Sequence, residues 1–370
     1  MLTNNFTFHS PVTAHFGAGS KTLLPGLLAG YNRIGVISGA TSLDKTGMRD
    51  FLISNLSGKD LHFFTKVEPN PSIETTLQGA ELLQQQHCQV VLAVGGGSAL
   101  DAGKAMAALA TNNQDFQELL GLDRFPVQPL PTIAVPTTCG TGSEMNHYAI
   151  LTDLAQQDKL NFSAANTFAS HAILDPELLL SLSPKLVTAT AFDALTHALE
   201  GYVSLRANPF TDTLALASME SIIATLTSSQ DHKDIASLGQ FLYNSALAGT
   251  IILHTGTTLL HALGYYLTNH QGIHHGTANS MLLPAFLNLL ADNQVEKYKP
   301  ITSLFAKYDF KPENFLKQMG GPATLTEIMD ENEIQTMVEY AISKKNTEAT
   351  PFPADPQKII IQLHKLEPFE

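Results

Sequence analysis

The sequence predicts an α/β protein in two parts, an N-terminal half built on a parallel β-sheet and an all-helical C-terminal half. Three observations point there. Short apolar, β-rich runs recur at residues 33–38, 61–67, 88–94 and 131–136, "RIGVIS", "LHFFTKV", "CQVVLAV" and "PTIAVP". Helical patterns lie between them, and after about residue 180 no convincing strand remains. At 370 residues the chain also exceeds what one hydrophobic core comfortably serves, so two domains are expected, 1–180 and 181–370.

Near the start, "FTFHS" and "VTAHFG" are expected to pair as a hairpin. The four apolar runs are continuous rather than alternating, as in strands covered on both faces by helices. Residues 72–86, "SIETTLQGAELLQQQ", carry an amphipathic helical pattern between the second and third runs. Ser183 followed by Pro184 opens the helical half, a hydroxyl cap and then proline at the first helical position. No repeat or low-complexity linker intervenes, so the halves are expected to pack closely around a cleft.

Composition narrows the function. A net charge of -13 argues against a phosphate-backbone binder and against docking on anionic membranes. Cys88 and Cys139 are the only cysteines, which is no disulfide framework and suits a reducing compartment. "MLTNNFTFHSPV" lacks the basic start and apolar core of a secretion signal. No run reaches the roughly 18 apolar residues of a membrane span. A cytoplasmic protein without nucleic-acid or membrane partners is expected.

The third apolar run ends in "GGGSALDAGKA" (95–105). Gly95, Gly96 and Gly97 let a backbone approach a ligand closely, and the helix that follows offers free N–H groups and a positive dipole end. Ser98 is expected to cap that helix, with Asp101 at its third position. A diphosphate suits such a place. Spacing excludes two common loops: for G-x-x-x-x-G-K-[ST], Ser98 stands at the first glycine and Ala105 at the hydroxyl, and for G-x-G-x-x-G the third glycine would be Leu100. The fourth run continues into "PTTCGTGSE" (136–144), where Thr137, Thr138, Thr141 and Ser143 offer hydroxyls to ribose or phosphate oxygens. Two such loops at the carboxyl ends of strands predict a dinucleotide site.

In the helical half, "FDALTHALEGYVS" (192–204) places Phe192, Leu195, Leu199 and Tyr202 on one stripe and Asp193, His197 and Glu200 on another. Asp193 and His197 are one helical turn apart, so both side chains point to one side. Further on, "TTLLHALGYYLTNHQGIHHGTANSMLLP" (257–284) carries His261, His270, His274 and His275. Core or capping roles suit His270 and His274. Imidazoles combined with one carboxylate suit Fe(II) or Zn(II), and the ligand types alone do not choose between them.

With "NPS" (70–72) and "DPEL" (175–178), these stretches resemble the iron-containing (group III) alcohol dehydrogenases, relatives of glycerol dehydrogenase and dehydroquinate synthase. The resemblance spans essentially the whole chain. It implies a dehydroquinate synthase-like two-domain fold with a Rossmann-like sheet, and hydride transfer between a small primary alcohol or diol and NADP or NAD. It implies metal ligands Asp193, His197, His261 and His275, the last preferred to His274 because the family's ligand directly precedes glycine. Gly96, Gly97 and Ser98 would hold the pyrophosphate, with Asn70, Gly95, Asp101, Thr137, Thr138, Thr141, Ser143 and Lys159 as further contacts. Glu200 would support the metal helix.

Two positions depart from the pattern. Many members carry a histidine four residues after the third ligand, where this chain has Tyr265. NAD-preferring members often place an acid where this chain has Gly39, and a neutral position there tolerates a 2′-phosphate. Tyr148 follows the hydroxyl-rich loop and either narrows the pocket or joins the core. A glycerol dehydrogenase-like enzyme and a dehydroquinate synthase-like lyase are the rival readings. The lyase would want basic residues for a phosphate-bearing substrate, and residues 193–204 and 257–284 contain no lysine or arginine. A non-enzymatic scaffold would require a broken ligand set. Family resemblance also implies a homodimer or larger homo-oligomer.

Overall fold

The chain is described by a computed structural model covering residues 5–228, 232–322 and 324–366. It divides into two compact units. One comprises residues 9–182 and 234–246; the other comprises the residues up to Phe8, 183–233 and those from 247 onward.

The first unit holds eight strands among its described residues: β1 (Thr13–Phe16), β2 (Arg33–Gly39), β3 (Asp60–Val67), β4 (Val90–Gly95), β5 (Thr132–Pro136), β6 (Ile150–Asp153), β7 (Asp158–Asn161) and β8 (His171–Leu174). Six of them form one sheet in the order β1-β8-β5-β4-β2-β3, and every pairing in it is parallel. The four expected strands are β2 to β5. β4 and β5 are buried along their whole length, which is why their sequences lack a polar face.

The expected N-terminal hairpin does not form. Residues 6–10 lie outside any strand, and β1 instead pairs parallel with β8, Thr13 opposite His171 through to Phe16 opposite Leu174. Pro11 between the two runs has no N–H to give to a ladder, which weakens a hairpin there. β6, β7 and β8 are four residues each, too short to display a period, and β6 and β7 make a separate antiparallel pair.

Two helices position the sheet's carboxyl edge. Ile73–Gln85 is capped by Ser72, whose hydroxyl oxygen accepts the Thr75 N–H at 3.1 Å. Gly97–Leu109 is buried at every position from Ala99 to Leu109 except Asp101. Its small residues allow that: a Cβ on Gly103 would come within 2.6 Å of the Ala93 Cβ on β4. Ser98 does not cap this helix as expected. The cap is Gly96, and the Ser98 hydroxyl oxygen accepts the Asn70 N–H at 3.2 Å.

In the second unit, Ser183 caps Pro184–Val203 through the Leu186 N–H at 3.3 Å, with Pro184 at the first helical position. This helix is not one-sided as its apolar stripe implies. Every residue from Val187 to Val203 is buried, so Asp193, His197 and Glu200 lie in the interior. The helix His275–Asp292 packs against it at Gly276, where a Cβ would collide with the Ala189 carbonyl. One further correction concerns Ile235–Thr255, which is apolar enough over 18 residues, at mean hydropathy 1.2, to match a membrane span. Two thirds of that window (67%) is buried within the protein, and a largely buried helix passes the same test of length and composition as one in lipid.

Gly103→Ala tests the helix–strand contact. Alanine is the better helix former, yet its methyl has no space against Ala93. The variant should unfold about 1–3 kcal/mol more easily in urea.

Candidate metal centre and cofactor loops

The candidate metal centre is assembled from three helices of the second unit, Pro184–Val203, Leu259–His270 and His275–Asp292. Asp193, His261 and His275 each bring one donor atom into a group whose members lie within 4.8 Å of one another. The Asp193 Oδ1 stands 3.7 Å from both His261 Nε2 and His275 Nε2. His197 is beside them, its ring stacked on that of His261 with centroids 4.3 Å apart. Asp193, His197 and His261 are buried. Three of the four expected ligands thus offer donor atoms to one group, although sixty-odd residues separate Asp193 from His261, and the fourth, His197, adjoins them through its ring.

Glu200 determines which way His261 faces. The His261 Nδ1–H donates to Glu200 Oε2, which leaves Nε2 directed at the cluster. The other oxygen, Oε1, accepts the Thr258 N–H at 2.8 Å, the Thr258 hydroxyl at 2.6 Å and the His261 N–H at 3.2 Å. Glu200 thus satisfies the free N–H groups at the start of Leu259–His270 and orients its histidine with the same carboxylate.

The electrostatics test whether a cation fits. Burial alone would raise the Asp193 carboxyl, yet the imidazoles of His197, His275 and His261 hold it well below the usual range. Burial would keep His261 neutral, but Glu200 and Asp193 push it up to about 9. Two buried carboxylates thus draw positive charge, and residues 193–204 and 257–284 carry no lysine or arginine to provide it. Nitrogen and oxygen donors 3.7 Å apart match the spacing around a divalent ion whose ligands sit at about 2.0–2.2 Å. The donor set fits iron or zinc.

The remaining residues of this region sort plainly. His270 stacks on Tyr266 at 4.2 Å and meets Tyr340 edge-on at 6.1 Å. His274 is the residue before the helix and stays outside the donor group. Tyr265 lies flat against His275, centroids 5.3 Å apart at 15°, and edge-on to His261 at 6.3 Å.

The cofactor loops gather at the carboxyl ends of β2, β4 and β5 in the first unit. β2 is followed by β3 on one side and β4 by β5 on the other, so Gly39 and Gly95 flank the point where strand order reverses. Ser42 joins the two, its hydroxyl oxygen 3.7 Å from where a Gly95 Cβ would be. Gly95 has φ 153°, a conformation that favours glycine. Thr138 lies against Gly96 and Thr141 against Gly97, at 3.2 and 2.6 Å from the positions of added Cβ atoms. The Thr137 N–H donates to the Gly95 carbonyl at 2.9 Å. On the far side the Lys159 ammonium donates to Asn70 Oδ1 at 2.5 Å, and burial pushes Lys159 down to about 8. Asp101 accepts the Ser143 hydroxyl and, at 3.0 Å, the Ile150 N–H. Tyr148 is half-buried, its ring 4.8 Å from that of His147.

Sequence reading missed two residues here. Lys104 is 1% exposed, donating to the Ser143 carbonyl at 2.8 Å and the Asn146 carbonyl at 3.3 Å, with Asp101 at 3.4 Å. Its position three residues after Asp101 was the available signal. Glu144 is also buried, which pushes its carboxyl up to about 7 against the opposing pull of Lys104.

Glu144 produces a defined pH dependence. Between the ordinary carboxyl value and about 7, the folded chain keeps a proton on Glu144 that the unfolded chain has lost, so this group weakens the fold as pH rises through that window. Glu144→Gln should remove that loss, and its urea midpoint relative to wild type should rise between pH 5 and pH 8.

Known proteins share both parts. Residues 11–176 match the family model described as iron-containing alcohol dehydrogenase, and residues 187–366 match Fe-containing alcohol dehydrogenase family, C-terminal. Alcohol dehydrogenase 4 of Schizosaccharomyces pombe is 35% identical over 242 residues, 65% of this chain but only 57% of the relative's own length. A 1,3-propanediol dehydrogenase of Citrobacter freundii is 32% identical over 292 residues, 76% of this chain and 73% of that one. A crystal structure of an iron-containing alcohol dehydrogenase superposes with a TM-score of 0.88 at 30% identity, covering 98% of this chain and 99% of the other. Sheet, helical unit and sequence agree, and this chain belongs to the iron-containing alcohol dehydrogenase family.

Proposed function

We propose that the chain is a metal-dependent, NAD(P)-linked alcohol dehydrogenase and aldehyde reductase acting on a small primary alcohol or diol. The observation that carries the proposal is the buried group of Asp193, His261 and His275 donor atoms, with His197 stacked beside it and no lysine or arginine in residues 193–204 and 257–284. Fe(II) is the proposed resident ion, with Zn(II) compatible with the same donors.

Asp193, His197, His261 and His275 would hold a divalent ion, which would supply Lewis acidity toward an alcohol oxygen, and a nicotinamide cofactor would supply the hydride acceptor. The chain's own residues do the rest. Glu200 holds His261 with Nε2 toward the donor group. Asp193 offsets charge at the centre. Gly95–Gly97 and the helix N-terminus accept the cofactor's pyrophosphate, with Thr137, Thr138, Thr141, Asn70 and Lys159 around it. Ser98, Asp101 and Ser143 hold those loops in place, each already bonded within the protein. Gly39 puts no acid at the end of β2 to repel a 2′-phosphate, which supports use of NADP as well as NAD. The lack of lysine and arginine in residues 193–204 and 257–284 favours an uncharged substrate over a phosphorylated one, and supports the dehydrogenase over a lyase. A chain with only two cysteines, Cys88 and Cys139, has no disulfide framework, which supports a cytoplasmic location, and family membership supports a homo-oligomer.

Metal analysis of the purified protein, paired with NADH and NADPH oxidation by short aldehydes, tests the reading. Asp193→Ala and His261→Ala should lose turnover by about 10³-fold or more, because several kcal/mol of charge stabilisation disappears. Both should still bind NAD(P)H. Full turnover in either variant, or in chelator-stripped protein, would overturn the proposal.

A further inference from the structure

Asn279 lies one turn after His275 on the helix His275–Asp292 and is fully buried. Its amide nitrogen stands 3.2 Å from each of three atoms, Asp193 Oδ1, His261 Nε2 and His275 Nε2. A carboxamide nitrogen carries two hydrogens, so three acceptor positions converge on a donor that cannot serve them all. The other end of the amide is unsatisfied as well: Oδ1 is buried without a hydrogen-bond partner among the described residues. That oxygen rests on the backbone of Gly264, where a Cβ would run into it. Leaving a buried amide half-paired is unfavourable, so something other than fold stability keeps it there.

We infer that Asn279 is a further, positioning member of the metal centre. It gathers Asp193, His261 and His275 around the place a cation takes, and Gly264 keeps the room its amide needs. The inference rests on the metal-centre reading above. A neutral N–H edge is a weak substitute for a cation, and it aims three donor atoms at one point instead of letting each turn to another partner. Donors already aimed in this way lose less freedom when an ion binds.

Metal-depleted protein titrated with Co(II) alone reads this without turnover. Wild type should bind one ion per chain. Asn279→Leu, which keeps the bulk and loses the amide, should raise the Kd about 10–100-fold. Gly264→Ala should weaken binding similarly, because its methyl displaces the amide oxygen. Alanine favours helix over glycine, so a weakened helix would not account for that result. In an Asn279→Ala background the new methyl meets nothing nearer than His275 Cε1 at 3.8 Å, and Gly264→Ala should then change the Kd less than about twofold. Wild-type affinity in Asn279→Leu would overturn the inference, as would a Gly264→Ala effect that persists undiminished without Asn279. Circular dichroism of each cation-free variant reports folding separately. A wild-type chain that binds no Co(II) would instead sink the metal-centre reading itself.

Discussion

Two carboxylates enclosed with three imidazoles, and no fixed positive side chain among them, set the constraint on which the helical unit depends. Asp193 and Glu200 are both buried, and an unpaired buried carboxylate is costly. Glu200 meets that cost by taking the N–H groups at the start of Leu259–His270 and the ring of His261 together. Asp193 meets it through the facing imidazoles. The same contacts that make the acids tolerable inside the protein direct nitrogen and oxygen lone pairs at one point. Fold stability and the capacity of the site to hold a cation therefore rest on the same few side chains.

Close approach of backbones is the second requirement, and small residues meet it. Gly276 lets one ligand helix touch another at the Ala189 carbonyl, which brings His275 next to Asp193. In the first unit Gly103 does the same for the helix that follows the glycine loop, seating it on β4. Lys104, on the next residue, is carried into the interior by that seating. There it ties the helix to the loop after β5 through two backbone carbonyls. The two cofactor loops are thus joined by a buried ammonium as well as by the Asp101–Ser143 hydrogen bond.

Much of this was legible in the chain itself. Continuous apolar runs bounded by glycine loops announced β2 to β5, and the Ser183–Pro184 pair announced the start of the first ligand helix. The hydroxyl-rich loop and the glycine loop were recognisable because glycines and small hydroxyl residues abruptly follow two wholly apolar, buried runs. Elements set by partners rather than by their own pattern escaped: β1 and β8 are four residues each and exist because they lie beside each other. Helical periodicity also misdescribed Pro184–Val203, since a stripe of large apolar residues cannot reveal that the opposite face is covered as well.

What the sequence determined alone was local: which segments form strands and helices, where the glycines free the backbone, and that Asp193 and His197 share a helix face. These depend on neighbours within a turn or two, so residue order suffices. What only the tertiary structure decided is long-range. The capping assigned to Ser98 gave way to a bond with Asn70, Lys104 is held in the interior, and Asn279 lies against the donor group. A side chain's partner across dozens of residues depends on how closely two elements pack, and no local pattern encodes that distance.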